Sequence, residues 1–308
     1  MVDYKQSPPI VKPLSLQLPE GSDFHPLGAA LFHQSQHSTL FITNAQRNGS
    51  TIEMFHVSHS TPPILSWRRT ISHPLIPNAN AIQPISSTSF YVTNDHRFRR
   101  AKSTSAHLLE SYLQLPLAWT TYVELSGNEI RAKKVVSLQR VANGITATPD
   151  LKTIFIAESA RGGFGVYTRG EGDELHFEEF VRINGFTDNI NFNDDGYVDE
   201  DNWGHSSVTA GCHANILRLE KTVRGKQNAP SWIVSVERKA VGMEDDPSDQ
   251  GLYRAKNYKD TWHLKTELQD NGEWLDGATG AIIDHGRGVM IGTGLYDSNG
   301  AFICRKVK

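Results

Sequence analysis

Polar side chains that could bind a ligand stand where apolar, strand-like runs of the sequence end. The runs at residues 41–44, 91–95 and 155–158 each finish in an amide or a carboxylate, and Asn143 opens the unit that ends with the third run. Strands of one β-structure can converge at their ends, so such groups from distant parts of the chain could form one site. The alternative for Asn143-Gly144 is an ordinary hairpin turn, which this dipeptide favours in isolation.

The spacing of these runs predicts the architecture that would bring them together. Thr43 and Thr93 occupy equivalent places 50 positions apart, and Ala157 follows 64 positions later. Repeats of about 50 residues with several strands each are typical of propeller blades, whose inner strands converge on a central axis. Because only one convincing helical segment interrupts the strand pattern, we expect an all-β fold.

The helical segment runs from Ala106 to Leu115 and is stopped by Pro116. Four apolar side chains share one face at helical spacing: Leu108, Leu109, Tyr112 and Leu113. We expect this face to pack over the strands. The alternative is contact with a membrane surface, which the nearby arginines at positions 97, 99 and 100 would support through anionic lipid.

Length and composition exclude several classes of protein. A chain of 308 residues with 25 glycines, 14 prolines and 38% hydrophobic residues is typical of a turn-rich globular protein. A formal charge of −3 provides no basic surface for nucleic acid. No apolar run approaches a membrane span, and residues 1–19 lack the apolar core of a signal peptide. Two cysteines, Cys212 and Cys304, allow at most one disulfide, so a cytoplasmic location is expected.

Ordered motifs along the chain resemble those of the paraoxonase/arylesterase family. Residues 75–82, Leu-Ile-Pro-Asn-Ala-Asn-Ala-Ile, resemble the family's Leu-Pro-Asn-Leu-Asn-Asp-Ile, and residues 93–96 match its Thr-Asn-Asp-His. Residues 111–119 resemble its Tyr-Leu-Gly-Leu-Ala-Trp helix. The remaining matches are Ala-Asn-Gly-Ile at 142–145, Thr-Asp-Asn-Ile at 187–190 and Gly-Cys-His at 211–213. Six motifs in the family's order extend the resemblance over nearly the whole chain.

The resemblance implies a six-bladed β-propeller, with the helix as a canopy over the active site and two calcium ions on the axis. Carried over residue by residue, the ligands of the catalytic calcium are Asn80, Asn143, Asp188 and Asn189. Calcium takes roughly six to eight oxygen ligands, and amide carbonyls and carboxylates are suitable donors. Taken singly, each asparagine is better explained as a turn residue. Only the ordered set favours a metal site.

Four residues at matching positions are candidates for catalysis: Asp95, His96, Asp188 and His213. Members of the family hydrolyse lactones, aryl esters and phosphotriesters, reactions in which a histidine can move a proton and calcium can polarise the carbonyl. Asp188 could act both as a metal ligand and as a base or nucleophile. The alternatives are a core histidine beside Cys212 for His213, and a solvated basic run at residues 96–100 for His96.

The sequence departs from the family pattern at positions that matter for catalysis. Leu27 and Ala45 stand where the family has its histidine dyad, so the usual base is absent. Ala81 replaces an aspartate that binds the structural calcium, which we therefore expect to be lost. No counterpart of the family's first-blade Glu-Asp pair precedes Phe24. We expect residues 1–22 to form an extended lead-in and residues 23–308 to form the propeller, whose N-terminal seam could be incomplete.

A second stretch imitates a calcium-binding loop. Residues 191–202, Asn-Phe-Asn-Asp-Asp-Gly-Tyr-Val-Asp-Glu-Asp-Asn, place oxygen-bearing side chains at positions 1, 3 and 5 and Gly196 at position 6. The final position is Asn202 instead of glutamate, and no helix precedes the stretch. An acidic surface insertion is the better interpretation.

These observations favour a calcium-dependent hydrolase of aryl esters or lactones that has weak or altered activity on a small-molecule substrate. The retained Asn and Asp residues support hydrolysis. The missing histidine dyad supports the alternative, a propeller that binds or converts a small molecule, for example in a biosynthetic pathway, without ester hydrolysis. No nucleic-acid partner is expected, and membrane contact through the helix is not the favoured alternative.

Overall fold

Short antiparallel strands make up nearly all of the computed structural model, which describes residues 2–6, 9–35, 37–60, 62–215, 218, 228–238, 261–295 and 300–305. The only α-helix whose bounds lie in these ranges is α1 (Thr104–Tyr112), against 22 strands, so the all-β prediction is confirmed. The apolar run from Ile154 to Ala157 is fully buried, as expected of a strand that is covered on both faces by neighbouring sheets.

The strands form five blade-like sheets. Blade 1 contains β3 (Leu16–Gln17), β4 (Pro26–Phe32), β5 (Ser38–Gln46), β6 (Gly49–Val57) and β7 (Leu65–Ile71). Blade 2 contains β8 (Ala79–Pro84), β9 (Ser89–Asn94), β10 (Ala118–Ser126) and β11 (Glu129–Gln139). Blade 3 contains β12 (Ala142–Ala147), β13 (Thr153–Glu158), β14 (Gly163–Arg169) and β15 (Leu175–Arg182).

The two remaining blades complete the propeller-like arrangement. Blade 4 contains β16 (Phe186–Asn193), β17 (Ser207–His213), β18 (Ser231–Arg238) and β19 (Trp262–Asp270). Blade 5 contains β20 (Ala278–Asp284), β21 (Val289–Gly294) and β22 (Ala301–Arg305). The inner strands β4, β8, β12, β16 and β20 pack against one another in chain order. Short 3₁₀ turns lie at Ser159–Arg161, Glu171–Asp173 and His285–Arg287.

The prediction of six blades is wrong for the described residues, which form five. Ahead of β4, the described residues form only two-residue strands. Of these, β1 (Val2–Asp3) pairs with β2 (Ile10–Val11), and β3 adds in parallel to the outer strand β7. The N-terminal segment instead contacts blade 5, because the Tyr4 hydroxyl donates to Asp284 at 3.1 Å and Arg305 donates to the Gln6 carbonyl at 2.8 Å.

Apolar side chains fill the spaces between adjacent blades. Between blades 1 and 2, the rings of Phe41 and Phe90 pack with centroids 5.1 Å apart. Between blades 3 and 4, Phe155 makes edge-to-face contacts with Trp203 at 5.9 Å and Trp262 at 6.5 Å. Such aromatic pairs contribute about 0.5–1.5 kcal/mol each beyond the area that they bury. These contacts fix the relative positions of the inner strands.

Each inner strand carries a shift of register near its start. The residues within the five shifts are Leu27-Gly28, Asn80-Ala81, Asn143-Gly144, Asp188-Asn189 and Thr279. A β-bulge takes a residue out of the hydrogen-bond ladder and re-aims its side chain, and bulges are frequent next to active sites. All four residues predicted to bind calcium are therefore in inner-strand bulges.

Hydroxyl groups fasten three of these bulges to the preceding blade. Thr43 donates to the Asn80 carbonyl, Thr93 to the Asn143 carbonyl and Ser159 to the Thr187 carbonyl, each at 2.7 Å. Thr43 and Thr93 belong to the small polar residues that end the recurring runs of the sequence. The neighbouring amides Asn44 and Asn94 are also used structurally, because they hydrogen-bond backbone groups within their own blades.

Two glycines allow a close approach between neighbouring blades. A Cβ atom on Gly144 would lie 2.4 Å from the Ile190 nitrogen, and one on Gly211 would lie 2.3 Å from the Gly280 nitrogen. Either contact is shorter than non-bonded atoms tolerate, so only glycine fits without moving a strand. Asn143-Gly144 is therefore a bulge in β12 that contacts β16, and the hairpin-turn alternative is wrong.

Candidate active site

A side-chain hydroxyl and a close backbone contact hold the bulges of three consecutive inner strands together. The Thr93 hydroxyl accepts the N–H of Ala81 at 3.0 Å and donates to the Asn143 carbonyl at 2.7 Å, which links the bulge of β8 to that of β12. A Cβ on Gly144 would lie 2.7 Å from the Asn189 Cα and 2.8 Å from the Asp188 carbonyl oxygen, so the bulge of β12 abuts that of β16.

Asn143 presents an oxygen atom that the protein leaves without a partner. Its Nδ2 donates to Ser159 Oγ at 3.1 Å, whereas its Oδ1 is buried and accepts no hydrogen bond from the described residues. Leaving a buried acceptor unsatisfied costs about 1–3 kcal/mol, so a ligand is expected at this atom. The four predicted ligands, Asn80, Asn143, Asp188 and Asn189, offer three amide oxygens and one carboxylate. This set fits calcium, which prefers oxygen donors.

The amides would have to supply most of the ligands. No group of three or more His, Cys, Asp or Glu side chains suited to a metal ion occurs in the described ranges. Of the four calcium ligands that the family resemblance implies, only Asp188 is an acidic residue. Because calcium affinity rises with the number of charged ligands, we expect a weak site.

Asp188 and His213 form a buried pair in blade 4, where the bulge of β16 abuts that of β12. His213 Nε2 lies 3.1 Å from Asp188 Oδ2, and the two residues are 8% and 9% exposed, respectively. The ladder pairs Phe186 with His213 and Thr187 with Cys212, and the bulge that follows Thr187 brings Asp188 within reach of His213. His213 Nδ1 is buried and has no hydrogen-bond partner in the described part of the chain. With Nε2–H donated to the carboxylate, Nδ1 can accept a proton.

The thiol of Cys212, which precedes His213 in β17, is expected to be unreactive. Cys212 is fully buried, and burial raises the pKa of its thiol to about 12. A thiol with such a pKa stays protonated at neutral pH, and the thiolate is the reactive form. Cys212 therefore supports the packing of blade 4 and takes no part in the chemistry.

Asp95 and His96 lie together at the end of β9, away from the first pair. His96 Nδ1 is 3.3 Å from Asp95 Oδ1, and its Nε2 is 3.0 Å from Ser111 Oγ. Burial lowers the pKa of His96, but the contact of its ring N–H with the Asp95 carboxylate and the charges of Asp95 and Glu110 outweigh it, so the pKa lies above its ordinary value. No hydrogen bond or ion pair within the described ranges links these residues to Asp188 or His213. The four catalytic candidates are thus two separate pairs.

A cavity of about 520 Å³ lies beside Asp95 and His96. Leu27 and Ala45, which stand at the positions of the family's histidine dyad, both line it. The two positions are therefore neighbours in space, but neither side chain can transfer a proton. His25 does not replace them, because its ring is exposed and bonds to Asp23 at 2.8 Å.

Sequence interpretation missed two residues that organise these sites. Glu110 of α1 is a buried carboxylate that accepts the N–H groups of Arg97 at 2.8 Å and Phe98 at 2.9 Å, which fixes the loop after His96. Ser159 both holds the Asn143 amide and fastens the next bulge. Aligning the repeats does not point to Ser159, because Ala157 holds the place of Thr43 and Thr93 in blade 3 and Ser159 lies two positions later.

The prediction that the apolar face of α1 packs over the strands is wrong. Its four apolar side chains are 39–67% exposed: Leu108, Leu109, Tyr112 and Leu113. The residue that faces the protein is Glu110, and its bonds to loop amides orient the helix with the apolar face outward. None of the helices in the described part of the chain has the length and apolar composition that a membrane crossing needs.

The stretch that imitates a calcium loop begins in the last three residues of β16 and continues as a surface loop. Asn193 uses its amide on neighbouring strands, because Nδ2 donates to Ser207 at 3.1 Å and Oδ1 accepts the N–H of Ile283 at 3.0 Å. The acidic side chains that follow are mostly exposed. This arrangement agrees with the expected acidic surface insertion.

The chain matches known proteins over most of its length. The Arylesterase family model matches residues 1–298. Serum paraoxonase/lactonase 3 of Homo sapiens is 25% identical over 91% of this chain and 70% of that protein. Serum paraoxonase/arylesterase 1 of Homo sapiens is 28% identical over 88% of this chain and 66% of that protein. The chain thus spans about two thirds of the length of these relatives.

Among solved structures, a gluconolactonase of Xanthomonas campestris aligns with 83% of this chain and 65% of that chain. The identity is 10% and the TM-score is 0.42.

Proposed function

The chain belongs to the arylesterase family, and we propose that it is a calcium-dependent hydrolase of lactones or aryl esters. The names of the relatives indicate small-molecule esters or lactones as the substrate class. The observation that carries the proposal is the buried Asp188–His213 pair, whose bulge packs against the bulge that contains Asn143 and its unpartnered side-chain oxygen. A proton acceptor next to oxygen ligands is the combination that ester hydrolysis needs.

Asn80, Asn143, Asp188 and Asn189 are the residues that would hold the calcium ion. When bound, calcium supplies a Lewis acid that polarises the substrate carbonyl. Ser159 takes the Asn143 Nδ2 group, which leaves Oδ1 for the ion. His213 takes one oxygen of Asp188, which leaves the other oxygen for the ion.

His213 is the residue that we assign to proton transfer. Its hydrogen bond to Asp188 fixes the ring and the tautomer and leaves Nδ1 as the acceptor. Nδ1 would accept a proton from water as the water oxygen bonds to the substrate carbonyl carbon. The bond to the leaving-group oxygen then breaks, and that oxygen takes the proton back from Nδ1.

Slow turnover is expected because the family's histidine positions hold Leu27 and Ala45. A well-placed general base contributes about 10²–10⁴-fold to the rate, and neither side chain can act as one. This loss also supports the alternative function, a propeller that binds or converts a small molecule without hydrolysing an ester. A ligand that binds tightly and is recovered unchanged would favour this alternative.

Replacing His213 should affect turnover more than substrate binding. We expect His213→Ala to lower kcat by about 10²–10⁴-fold with a much smaller rise in KM, because a proton-transfer residue acts mainly in the transition state. The measurement is steady-state kinetics on an activated aryl ester. His205→Ala, an exposed position in the same blade, is the matched control. An unchanged kcat in His213→Ala would remove His213 from the mechanism.

We also propose that the exposed face of α1 touches membrane surfaces. In co-sedimentation with anionic vesicles at low salt, the parent chain should pellet with lipid, and Leu109→Ser with Leu113→Ser should largely abolish this binding. Ile64→Ser is the control, because Ile64 is similarly exposed but lies outside the helix. A parent chain that stays in the supernatant under these conditions would exclude the membrane role.

A further inference from the structure

The cavity between α1 and blade 1 is lined by basic side chains that the mechanism does not use. These are His25, Arg47, His96, Arg99, Arg100 and His107. We propose that this cavity binds an oxyanion group, a carboxylate or a phosphate, on a small-molecule ester or lactone, so that the substrate is an anionic one. The assignment of this group to a substrate rests on the proposed hydrolase function, whereas the binding of the oxyanion does not.

The three arginines that line the cavity form no ion pair with a carboxylate of the described residues. Within the described ranges, no carboxylate lies at ion-pair distance from the guanidinium groups of Arg47, Arg99 or Arg100. Asp95 is the lining carboxylate, and it lies 3.3 Å from His96. Three guanidinium groups and one carboxylate that already contacts His96 leave a net positive potential at the cavity, where Arg99 is half-buried and Arg47 and Arg100 are exposed.

The nearby carboxylates that do not line the cavity are already engaged. Glu110 accepts the N–H groups of Arg97 and Phe98. Asp23 accepts the N–H of Arg47 at 2.9 Å and bonds the ring of His25 at 2.8 Å. Both carboxylates hold backbone N–H groups around the cavity. Neither lies at ion-pair distance from a cavity guanidinium within the described ranges, but the Asp23 charge does interact with that of Arg47.

Arg99 is held through one nitrogen, and a second, buried nitrogen has no hydrogen-bond partner among the described residues. Its Nη2 donates to the Gln46 carbonyl at 2.7 Å, which joins the loop after β9 to the turn after β5. Its Nη1 is buried and has no hydrogen-bond partner among the described residues. A buried charged donor without an acceptor is costly, and an anionic oxygen is the partner that best compensates it.

The size and the remaining lining define the ligand further. A volume of about 520 Å³ suits a small molecule and not a macromolecular segment. Leu27, Ala79 and Phe98 add apolar surface to the same cavity. The occupant is therefore expected to combine one anionic end with an apolar body, as a carboxylated or phosphorylated alkyl or aryl ester does.

Direct binding to the calcium-loaded full chain tests the inference without turnover. In isothermal titration, glutarate or methyl phosphate should bind at least about tenfold more tightly than the neutral analogue glutaramide. The preferred anion distinguishes a carboxylate ligand from a phosphate ligand. Arg99→Gln and Arg100→Gln should each weaken anion binding by about tenfold or more, whereas Arg131→Gln, an exposed arginine paired with Glu129, should not. Thermal unfolding of each variant shows whether it is folded. The test needs only one of the two variants, Arg99→Gln or Arg100→Gln, to be folded.

The inference is overturned if the parent chain binds neither anion more tightly than glutaramide, or if Arg131→Gln weakens binding as much as the cavity variants do. Comparing 4-nitrophenyl butyrate with 4-nitrophenyl hydrogen glutarate separates the two proposals. Anion binding without hydrolysis of either ester would keep the oxyanion site and reject the hydrolase. Hydrolysis of the neutral ester without anion binding would keep the hydrolase and reject the oxyanion site.

Discussion

Replacing Asp188 by alanine should abolish calcium binding and, with it, hydrolysis. Asp188 is the only charged ligand in the set, and calcium affinity depends strongly on ligand charge. The change would also leave His213 Nε2 without its partner at 3.1 Å, so the ring would lose its fixed tautomer. We therefore expect about one calcium per chain in the parent and none in the variant at matched free calcium.

Calcium stoichiometry after dialysis, measured by atomic emission, checks this expectation independently of activity. Asp188→Asn keeps an oxygen donor but removes the charge, and should bind with intermediate affinity. Asp195→Ala, in the loop after β16, is the control for a general loss of negative charge. Equal calcium content in Asp188→Ala and the parent would show that these bulges are not the calcium site.

Replacing Gly144 by alanine should destabilise the propeller strongly. The new Cβ would lie 2.4 Å from the Ile190 nitrogen and 2.7 Å from the Asn189 Cα, both of which are backbone atoms that cannot rotate away. Overpacking of this kind costs typically about 1–3 kcal/mol and can cost more where the backbone must move. The strands β12 and β16 would separate, which would also displace Asn143 from Asp188.

Urea-induced unfolding of Gly144→Ala, compared with that of a second glycine variant, measures this effect. Gly286→Ala is the matched control, because its Cβ would meet only Asp284 Oδ1, at an ordinary 3.6 Å. Gly286→Ala should unfold at nearly the urea concentration of the parent chain, and Gly144→Ala at a clearly lower one. Equal midpoints for the two variants would contradict the close approach of β12 to β16.

The sequence allowed the class of fold to be predicted, but not the number of blades. Apolar runs that end in small polar residues correctly indicated repeated strands, and Thr43 and Thr93 are the residues that join one blade to the next. The number of blades depends on how the first and last sheets pair. Two-residue strands such as β1 and β3 carry too few side chains to reveal their pairing in a sequence.

The candidate site was predictable only where one motif carries the information. The order of the motifs located Asn80, Asn143, Asp188 and Asn189, and the structure places all four in inner-strand bulges. The bulges themselves depend on contacts between strands, which no local pattern encodes. The cavity arginines were hidden for the same reason, because Arg47 joins Arg99 and Arg100 only through packing of blade 1 against blade 2.

Turnover of a panel of lactones and aryl esters by the calcium-loaded chain tests the proposed function most directly. We expect slow hydrolysis of activated aryl esters or lactones, and a calcium chelator should remove most of it until calcium is restored. Heat-denatured protein gives the background rate for each substrate. Absence of turnover above that background across the whole panel, with calcium shown to be bound, would contradict the hydrolase assignment and favour the small-molecule binder.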